Sequence, residues 1–498
     1  MSARQEADAL AWDQSDDLWD EGVKKARLSS TCRKIEAFAA KVLGRPATYF
    51  TPLVMGAFNV LYPIRTESPD NSSEMNVLVR LPSVGRRVFP EEKTLAEAAT
   101  ALCISQRTSL PVPGVINYGI DPDIGPFMIM QDLGSRRTLH AALRHSLDEQ
   151  SMLRSDISES GLKCLYGKMA PLVLQLAQPT FPLIGALLET SPGSFHVLAR
   201  PISFNMSDMV LHSNVPKSIF PPQGTTFQTA DEWYTTLAEM HIATLLFQHN
   251  DMVESEDDCK TKYVARQLFR RLAKQRRLSS FGFADDNWSI QPNSSPGTLP
   301  APKSSGPFRL WSDDFRPANV LVDEKDNVLA AIDWEFAYVG PTQFALDPPW
   351  WLLIEKPEDW FEGIEDWASL YETRLPTWLS ALEEAEQDLA PGAFLLSVYM
   401  RESWATGRFW LNYAARKSYA FDTIYWKYLD ERFFGKREGS DEIPDQELWK
   451  TRVHLLSQDE RAAMDSLVQT KMEEAKEQVL VDWEAKEAQE RLSSYLFD

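Results

Sequence analysis

The spacing of apolar positions changes several times along the chain, and each change predicts a different element. Behind a polar lead-in, Ile35, Phe38, Ala39 and Val42 recur at helical spacing, with Ser29 and Ser30 as candidate caps. From Tyr49 short apolar runs take over: Thr51–Met55, Val60–Ile64 and Val77–Leu81, the last two separated by the polar stretch Thr66–Asn76, which reads as a long hairpin loop. Residues 91–107 return to helical spacing through Leu95, Ala98, Ala99 and Leu102, and Val115–Tyr118 and Phe127–Met130 read as two further strands. From Leu139 the pattern is mostly helical, with segments Leu165–Ala177, Asp231–His249 (Asp231 as expected N-cap) and Lys260–Arg277. A Ser-, Pro- and Gly-rich stretch, 279–307, predicts an irregular loop before a strand at Phe308–Trp311 and a strand–turn–strand over Val320–Asp333. Helices follow, and in the tail Met464, Leu467, Val468, Met472, Ala475, Val479 and Trp483 form a stripe that suits packing on the chain's own body or binding a partner. The organisation expected is a helical lead-in (1–48), a small β-rich lobe (49–134), a large helical lobe (135–437) and a helical tail (438–498).

Composition narrows the class. At 44 % hydrophobic and 25 % charged residues, the 498-residue chain has the balance of a globular protein. No apolar run approaches the roughly 18–20 residues that span a bilayer, and the acidic first twenty residues resemble neither a signal nor a transit peptide. Four widely separated cysteines, Cys32, Cys103, Cys164 and Cys259, show no metal-ligand spacing. A cytoplasmic protein with reduced thiols is expected, with no membrane partner. The formal charge of −21 argues against a nucleic-acid partner. It is concentrated at the end: Glu438–Asp498 holds 16 acidic and 7 basic residues, a net of −9. The basic run Arg266, Arg270, Arg271, Lys274, Arg276 and Arg277 therefore reads as a solvated helix face, and His241, amid apolar neighbours, as a core histidine.

One segment concentrates chemistry: Leu310-Trp-Ser-Asp-Asp314-Phe-Arg-Pro-Ala-Asn319-Val-Leu-Val-Asp, then Ala331-Ile-Asp333-Trp-Glu335. Asp314 precedes Asn319 by five residues; two apolar strands around a turn at Glu324–Asn327 then lead to Asp333. Phosphoryl transfer needs a carboxylate to orient a hydroxyl and accept its proton, and oxygen ligands to hold Mg²⁺ against phosphates. A hairpin between Asn319 and Asp333 brings those groups to one end. Arg316 could reach the transferred phosphate or face solvent. In Met55-Gly56-Ala-Phe-Asn59, Gly56 allows close backbone approach to a phosphate, and reads equally as a hairpin glycine.

This segment resembles the aminoglycoside phosphotransferase and choline kinase family, over roughly residues 50–435. Asp333-Trp-Glu-Phe-Ala-Tyr, Asp347-Pro-Pro-Trp-Trp-Leu-Leu and Thr406-Gly-Arg-Phe-Trp-Leu-Asn-Tyr-Ala-Ala look like a fungal branch of it. The resemblance implies an α+β, protein-kinase-like two-lobed fold, with a β-rich N-lobe and a helical C-lobe. It implies an ATP- and Mg²⁺-dependent phosphotransferase acting on a small-molecule hydroxyl, with Asp314 as base and Asn319 and Asp333 as metal ligands. It also implies that Arg80 binds phosphate beside Glu97, and that the backbone of Met128–Leu133, including Gln131 and Leu133, faces the adenine. Two positions depart from the family pattern. Ser312 stands where the family has His, and Arg80 where it has Lys; Arg is always charged and can bind phosphate through its planar fork. These departures keep a nucleotide-binding pseudokinase open as an alternative. A protein kinase is a third reading, opposed by the short, proline-marked path from Asp333 to Trp350-Trp351 and the lack of an Ala-Pro-Glu sequence. Trp404, Arg408, Trp410, Asn412 and Tyr413 read as acceptor-pocket wall or core.

Overall fold

The computed structural model describes residues 7–50, 52–67, 74–144, 152–293, 295–389, 394–437 and 443–497. The chain opens with two helices, α1 (Ala9–Ala26) and α2 (Ser29–Leu43). The first lies inside the stretch expected to be a polar lead-in. Its N-cap is Asp8, whose carboxylate accepts from Ala11 N. Neither Ser29 nor Ser30 caps α2; Leu28 holds the N-cap position, without a side-chain bond.

Next come β1 (Ala47–Tyr49), β2 (Val54–Met55), β3 (Asn59–Glu67), β4 (Glu74–Pro82), α3 (Pro90–Arg107), β5 (Val115–Asp121) and β6 (Gly125–Gln131). The six strands form one antiparallel sheet in the order β1-β3-β4-β6-β5, with β2 paired to β3. Strands β3 and β4 extend into the stretch read as a loop; residues 68–73 of that loop, and Thr51 of the first apolar run, lie outside the described residues. Helix α3 begins with Pro90 at its first turn, followed by Glu91 and Glu92, which suit the positive end of the helix dipole.

Beyond the sheet lie α4 (Leu139–Leu143), α5 (Glu159–Leu176), β7 (Thr180–Phe181), β8 (Ala186–Ser191), β9 (Ser194–Ala199), α6 (Phe204–Ser213), α7 (Ala230–Phe247) and α8 (Glu256–Lys274). The β8–β9 hairpin falls in a stretch expected to be mostly helical. Thr229 rather than Asp231 caps α7, in a reciprocal pair with Glu232. Asp231 accepts from Ser279 and Ser304 hydroxyls instead. The segment from Phe308 onward supplies β10 (Phe308–Ser312), β11 (Val320–Val322), β12 (Val328–Ala331), β13 (Ala337–Gly340) and α9 (Thr342–Ala345). β10 pairs with both β13 and β7, and β11 with β12, all antiparallel.

The remaining helices are α10 (Ile364–Glu386), α11 (Leu396–Thr406), α12 (Arg408–Arg416), α13 (Phe421–Ile424), α14 (Asp430–Phe434), α15 (Trp449–Arg452), α16 (Gln458–Glu477) and α17 (Ala485–Ser493). One core runs through this half, with Trp233, Trp351, Trp367 and Trp378 buried in it. Trp410, Arg408, Asn412 and Tyr413 belong to this core, with Trp404 packed against it. The tail's Met464, Leu467 and Val468 are buried in the same core, and Trp483 packs edge-on against Phe247. Val479 is exposed.

The basic run is a solvated face only at its end, where Lys274, Arg276 and Arg277 are exposed. Arg266 and Arg270 are buried; Arg266 forks onto Asp422 at 2.5 and 2.9 Å, Arg270 meets Glu239 at 3.1 Å, and Arg271 meets Glu460 at 2.6 Å. His241 is buried, stacks on Phe421 and lies 3.1 Å from Ala415 O. Among the described residues no helix is long and apolar enough to cross a membrane.

Candidate active site

Pairing of Val320 with Ala331 puts the residues flanking the β11–β12 hairpin side by side, and Ile332 N donates to Asn319 O at 2.9 Å. Asn319 and Asp333 therefore emerge together, beside the loop that carries Asp314. The Asn319 amide donates to the Asp314 backbone oxygen (2.8 Å) and to Asp314 Oδ2 (2.9 Å), which leaves its own Oδ1 directed elsewhere. Asp314 Oδ1 accepts from Arg316 Nε at 2.8 Å. Burial pushes the Asp314 carboxyl above its ordinary value; Arg316 counters this, and the nearby Asp333 adds to it. Arg316 also faces His140 of α4, whose imidazole burial and neighbouring arginines push down to about 4.

Asp333 has φ +68, a left-handed backbone that costs a non-glycine residue strain. Its side chain is held by Arg80 of β4, whose Nη2 lies 2.5 Å from Asp333 Oδ1, 3.1 Å from Glu97 Oε1 of α3 and 3.6 Å from Glu335 Oε1. Lys93, one turn before Glu97, pairs with Glu335. Three carboxylates and two cations thus share one cluster, buried except at Asp333, which is half-buried. Burial raises the Glu97 carboxyl despite Arg80, whereas Arg80 overcomes burial at Asp333 and holds it low. The expected Arg80–Glu97 pair forms. Lys93 and the role of Glu335 were not read from the sequence, because nothing local marks a helix lysine as buried.

Asn319 and Asp333 supply hard oxygen donors of the kind Mg²⁺ takes when phosphates and water complete its shell. Arg80 Nε is buried and has no hydrogen-bond partner, a donor that a phosphate oxygen would satisfy. The residues present therefore fit a metal–nucleotide pair.

Gly56 sits in the β2–β3 turn, with its N–H donating to Asn59 O at 2.8 Å. Two residues on, Phe58 packs edge-on against Phe336 and Phe204, at 5.0 and 5.8 Å between centroids. Gln131 ends β6, exposed, its N–H taken by Gly114 O; Leu133 is half-buried. The connection then runs along the hairpin: Ser135 Oγ donates to Val322 O (2.7 Å), and Val322 N to Arg137 O (3.0 Å).

Ser312 is buried and its hydroxyl accepts from Asp314 N at 3.3 Å. The next residue, Asp313, takes the Arg416 guanidinium at 2.6 Å and the Trp311 indole N–H at 3.1 Å. Arg416 lies over the Trp311 and Phe344 rings. Asp347, buried beneath, accepts from Ser403 (2.6 Å) and Asn412 (2.8 Å).

Residues 202–391 match the family model described as the phosphotransferase enzyme family, a stretch that holds Asp314, Asn319 and Asp333 but fewer than half of the chain's residues. No curated protein sequence matches the chain. Among solved structures, it is similar to a thermostable mutant of aminoglycoside phosphotransferase APH(4)-Ia in ternary complex with AMP-PNP and hygromycin B: 14 % identity, TM-score 0.37, covering 88 % of this chain and 98 % of that one. A macrolide 2'-phosphotransferase type I gives 15 % identity and TM-score 0.30, covering 82 % and 96 %. Spectinomycin phosphotransferase APH(9)-Ia, with ADP and spectinomycin, gives 10 % identity and TM-score 0.30, covering 90 % and 98 %.

Proposed function

We propose that this chain, whose residues 202–391 match the phosphotransferase enzyme family, moves the γ-phosphoryl group of ATP to a hydroxyl of a small molecule. The observation that carries the reading is the meeting of Asp314, Asn319 and Asp333 at one end of the β11–β12 hairpin, with Arg80 reaching Asp333 from the opposite lobe.

In this reading Asp314 accepts a hydrogen bond from the acceptor hydroxyl and takes its proton as the oxygen attacks. A carboxyl raised by burial is a stronger base than an exposed one. Arg316 and Asn319 hold the two oxygens of Asp314 in place. Asn319 Oδ1 and Asp333 would hold Mg²⁺, which when bound draws the phosphates together and offsets their charge. Arg80, steadied by Glu97, grips the phosphates. Gly56 lets the β2–β3 turn approach them, and the Gln131–Leu133 backbone faces the base. Four unpaired cysteines and the use of ATP suit a cytoplasmic setting. Asp333 is followed almost at once by β13 and α9, which favours a small acceptor over a peptide laid on a long platform.

The test is transfer of label from ATP into separated small-molecule and protein fractions of a cell extract. Labelling of the small-molecule fraction, lost in Asp314→Asn, is expected; label only in protein would reject the acceptor class.

The pseudokinase reading is favoured by one contact: Arg80 occupies Asp333, the carboxylate that a metal would need. A thermal shift with ATP that is unaffected by MgCl₂, together with no turnover, would support it.

A further inference from the structure

Three phenylalanine rings meet edge to face beside the metal-binding segment. Phe58 comes from the β2–β3 turn, Phe204 opens α6, and Phe336 follows Asp333 by three residues. Their centroids lie 5.0 Å (Phe58–Phe336), 5.8 Å (Phe58–Phe204) and 5.1 Å (Phe204–Phe336) apart, with interplanar angles of 79°, 85° and 71°. Such pairs set the positive rim of one ring against the negative face of the next. Ala57 is exposed, while its neighbour Phe58 is buried.

Lys93 of α3 adds a charge to this cluster. Its Nζ lies 4.8 Å from the Phe58 centroid and 4.9 Å from the Phe336 centroid. Glu335, the neighbour of Phe336, pairs with the same ammonium, and both side chains are only 3 % exposed. The ammonium is thus neutralised by a carboxylate of the metal-binding segment while it faces a ring from that segment and a ring from the turn. A cation over an aromatic face is held more strongly where water is excluded. Lys93 and Glu97 are one helical turn apart, so the helix that steadies Arg80 through Glu97 also holds Phe58 through Lys93. The turn has one glycine, and backbone bonds fix its base: Gly56 N–H to Asn59 O and Ser83 N–H to Phe58 O, both 2.8 Å. It is a stiff turn anchored by one side chain, rather than a run of glycines free to flex.

Resting on the phosphotransferase reading, we propose that Lys93 and Phe58 are positioning residues: they latch the β2–β3 turn onto Phe336, beside the proposed metal ligand Asp333, and nucleotide enters and leaves by breaking that contact. Lifting the turn strips Phe58 from two rings and from the ammonium and exposes it to water. The same contact breaks for entry and for release. Loosening it therefore speeds both and leaves their ratio, the affinity, nearly unchanged. A residue that touches the nucleotide itself behaves differently: its loss speeds release and lowers affinity.

The experiment is stopped-flow mixing of the full chain with fluorescent N-methylanthraniloyl-ADP and MgCl₂. Phe58→Leu keeps apolar bulk but loses the ring. Its association and dissociation are each expected to be about tenfold faster, the factor that one desolvated cation–π contact corresponds to, with affinity within about threefold of wild type. Lys93→Met should match it, and Lys93→Arg should restore the wild-type rates. If Lys93→Met does not fold, because Glu335 loses its counter-charge, Phe58→Leu decides alone. Phe433→Leu, which breaks an edge-on pair with Phe281 at 5.3 Å in the helical half, should lower Tm without moving the rates. Unchanged rates in Phe58→Leu, faster release with unchanged association, or equal acceleration in Phe433→Leu overturns the latch. Wild-type protein that binds no labelled ADP with MgCl₂ overturns the phosphotransferase reading, and the latch's part in nucleotide exchange with it.

Discussion

Arg80 Nη2 stands 3.1 Å from Glu97 and 2.5 Å from Asp333, so one nitrogen joins strand β4, helix α3 and the segment after β12. Lys93 repeats the link from α3 to Glu335. These two cations cross from the sheet to the helical half and set how the halves meet.

Replacing Arg80 by Ala leaves Glu97, Asp333 and Glu335 with Lys93 alone. A buried ion cluster that loses one partner is destabilised by about 3–5 kcal/mol. Arg80→Ala should therefore unfold at lower denaturant, and its ATP affinity, measured by calorimetry on the folded fraction, should fall by about 1–3 kcal/mol. Unchanged affinity would move the phosphate grip elsewhere.

Asp314→Asn is expected to keep the fold and ATP binding, since the group acts on the acceptor, while turnover drops by about 10²–10⁴-fold. Asp333→Ala should instead abolish the Mg²⁺ dependence of ATP binding. Steady-state kinetics with a binding isotherm separates the two; wild-type turnover in Asp314→Asn rejects the base.

The buried Arg416–Asp313 pair fixes the backbone one residue before Asp314. Arg416→Ala and Asp313→Ala should each cost about 3–5 kcal/mol, because each strands a buried charge. The double variant should cost much less than their sum. Additive losses in urea melts would mean that the two do not act as a pair.

Burial, with Arg266 nearby, pushes His241 down to about 3. A depressed histidine is neutral in the fold and protonates on unfolding, so its stabilising share is present above about pH 6.5 and is lost as pH falls toward 3. From about pH 6.5 to 5 that loss amounts to about 2 kcal/mol. His241→Gln should flatten the fall of Tm over this window; an unchanged slope would show that the imidazole titrates in the folded state.

Gly85 meets the backbone of Leu18 and Trp19 so closely that a Cβ there would overlap both. Gly85→Ala must push α1 away, at about 1–3 kcal/mol. Tryptophan fluorescence and a lower Tm would report it. An unaltered Tm would mean that α1 contributes little to stability.

Local pattern carried much of this protein. The Asp314–Asn319 spacing and the two short strands before Asp333 lie within one loop and one hairpin, so twenty residues define their geometry. Short apolar runs likewise marked β3, β4 and β6, and helical spacing marked α3, α7 and α8. The same pattern misread α1 and the β8–β9 hairpin: α1 carries too few apolar residues to declare itself, and gains its place by packing on Gly85 and through Asp8 bonding to Asn250. It also misread Arg266 and Arg270, because an arginine looks solvated until its carboxylate partner arrives from another part of the chain. Arg80 meets Asp333 across 253 residues and Arg416 meets Asp313 across 103. Short-range spacing is set by chain geometry and can be read along the sequence. The partner of a buried charge is set by which distant elements exclude water around it, and only the tertiary structure decides that.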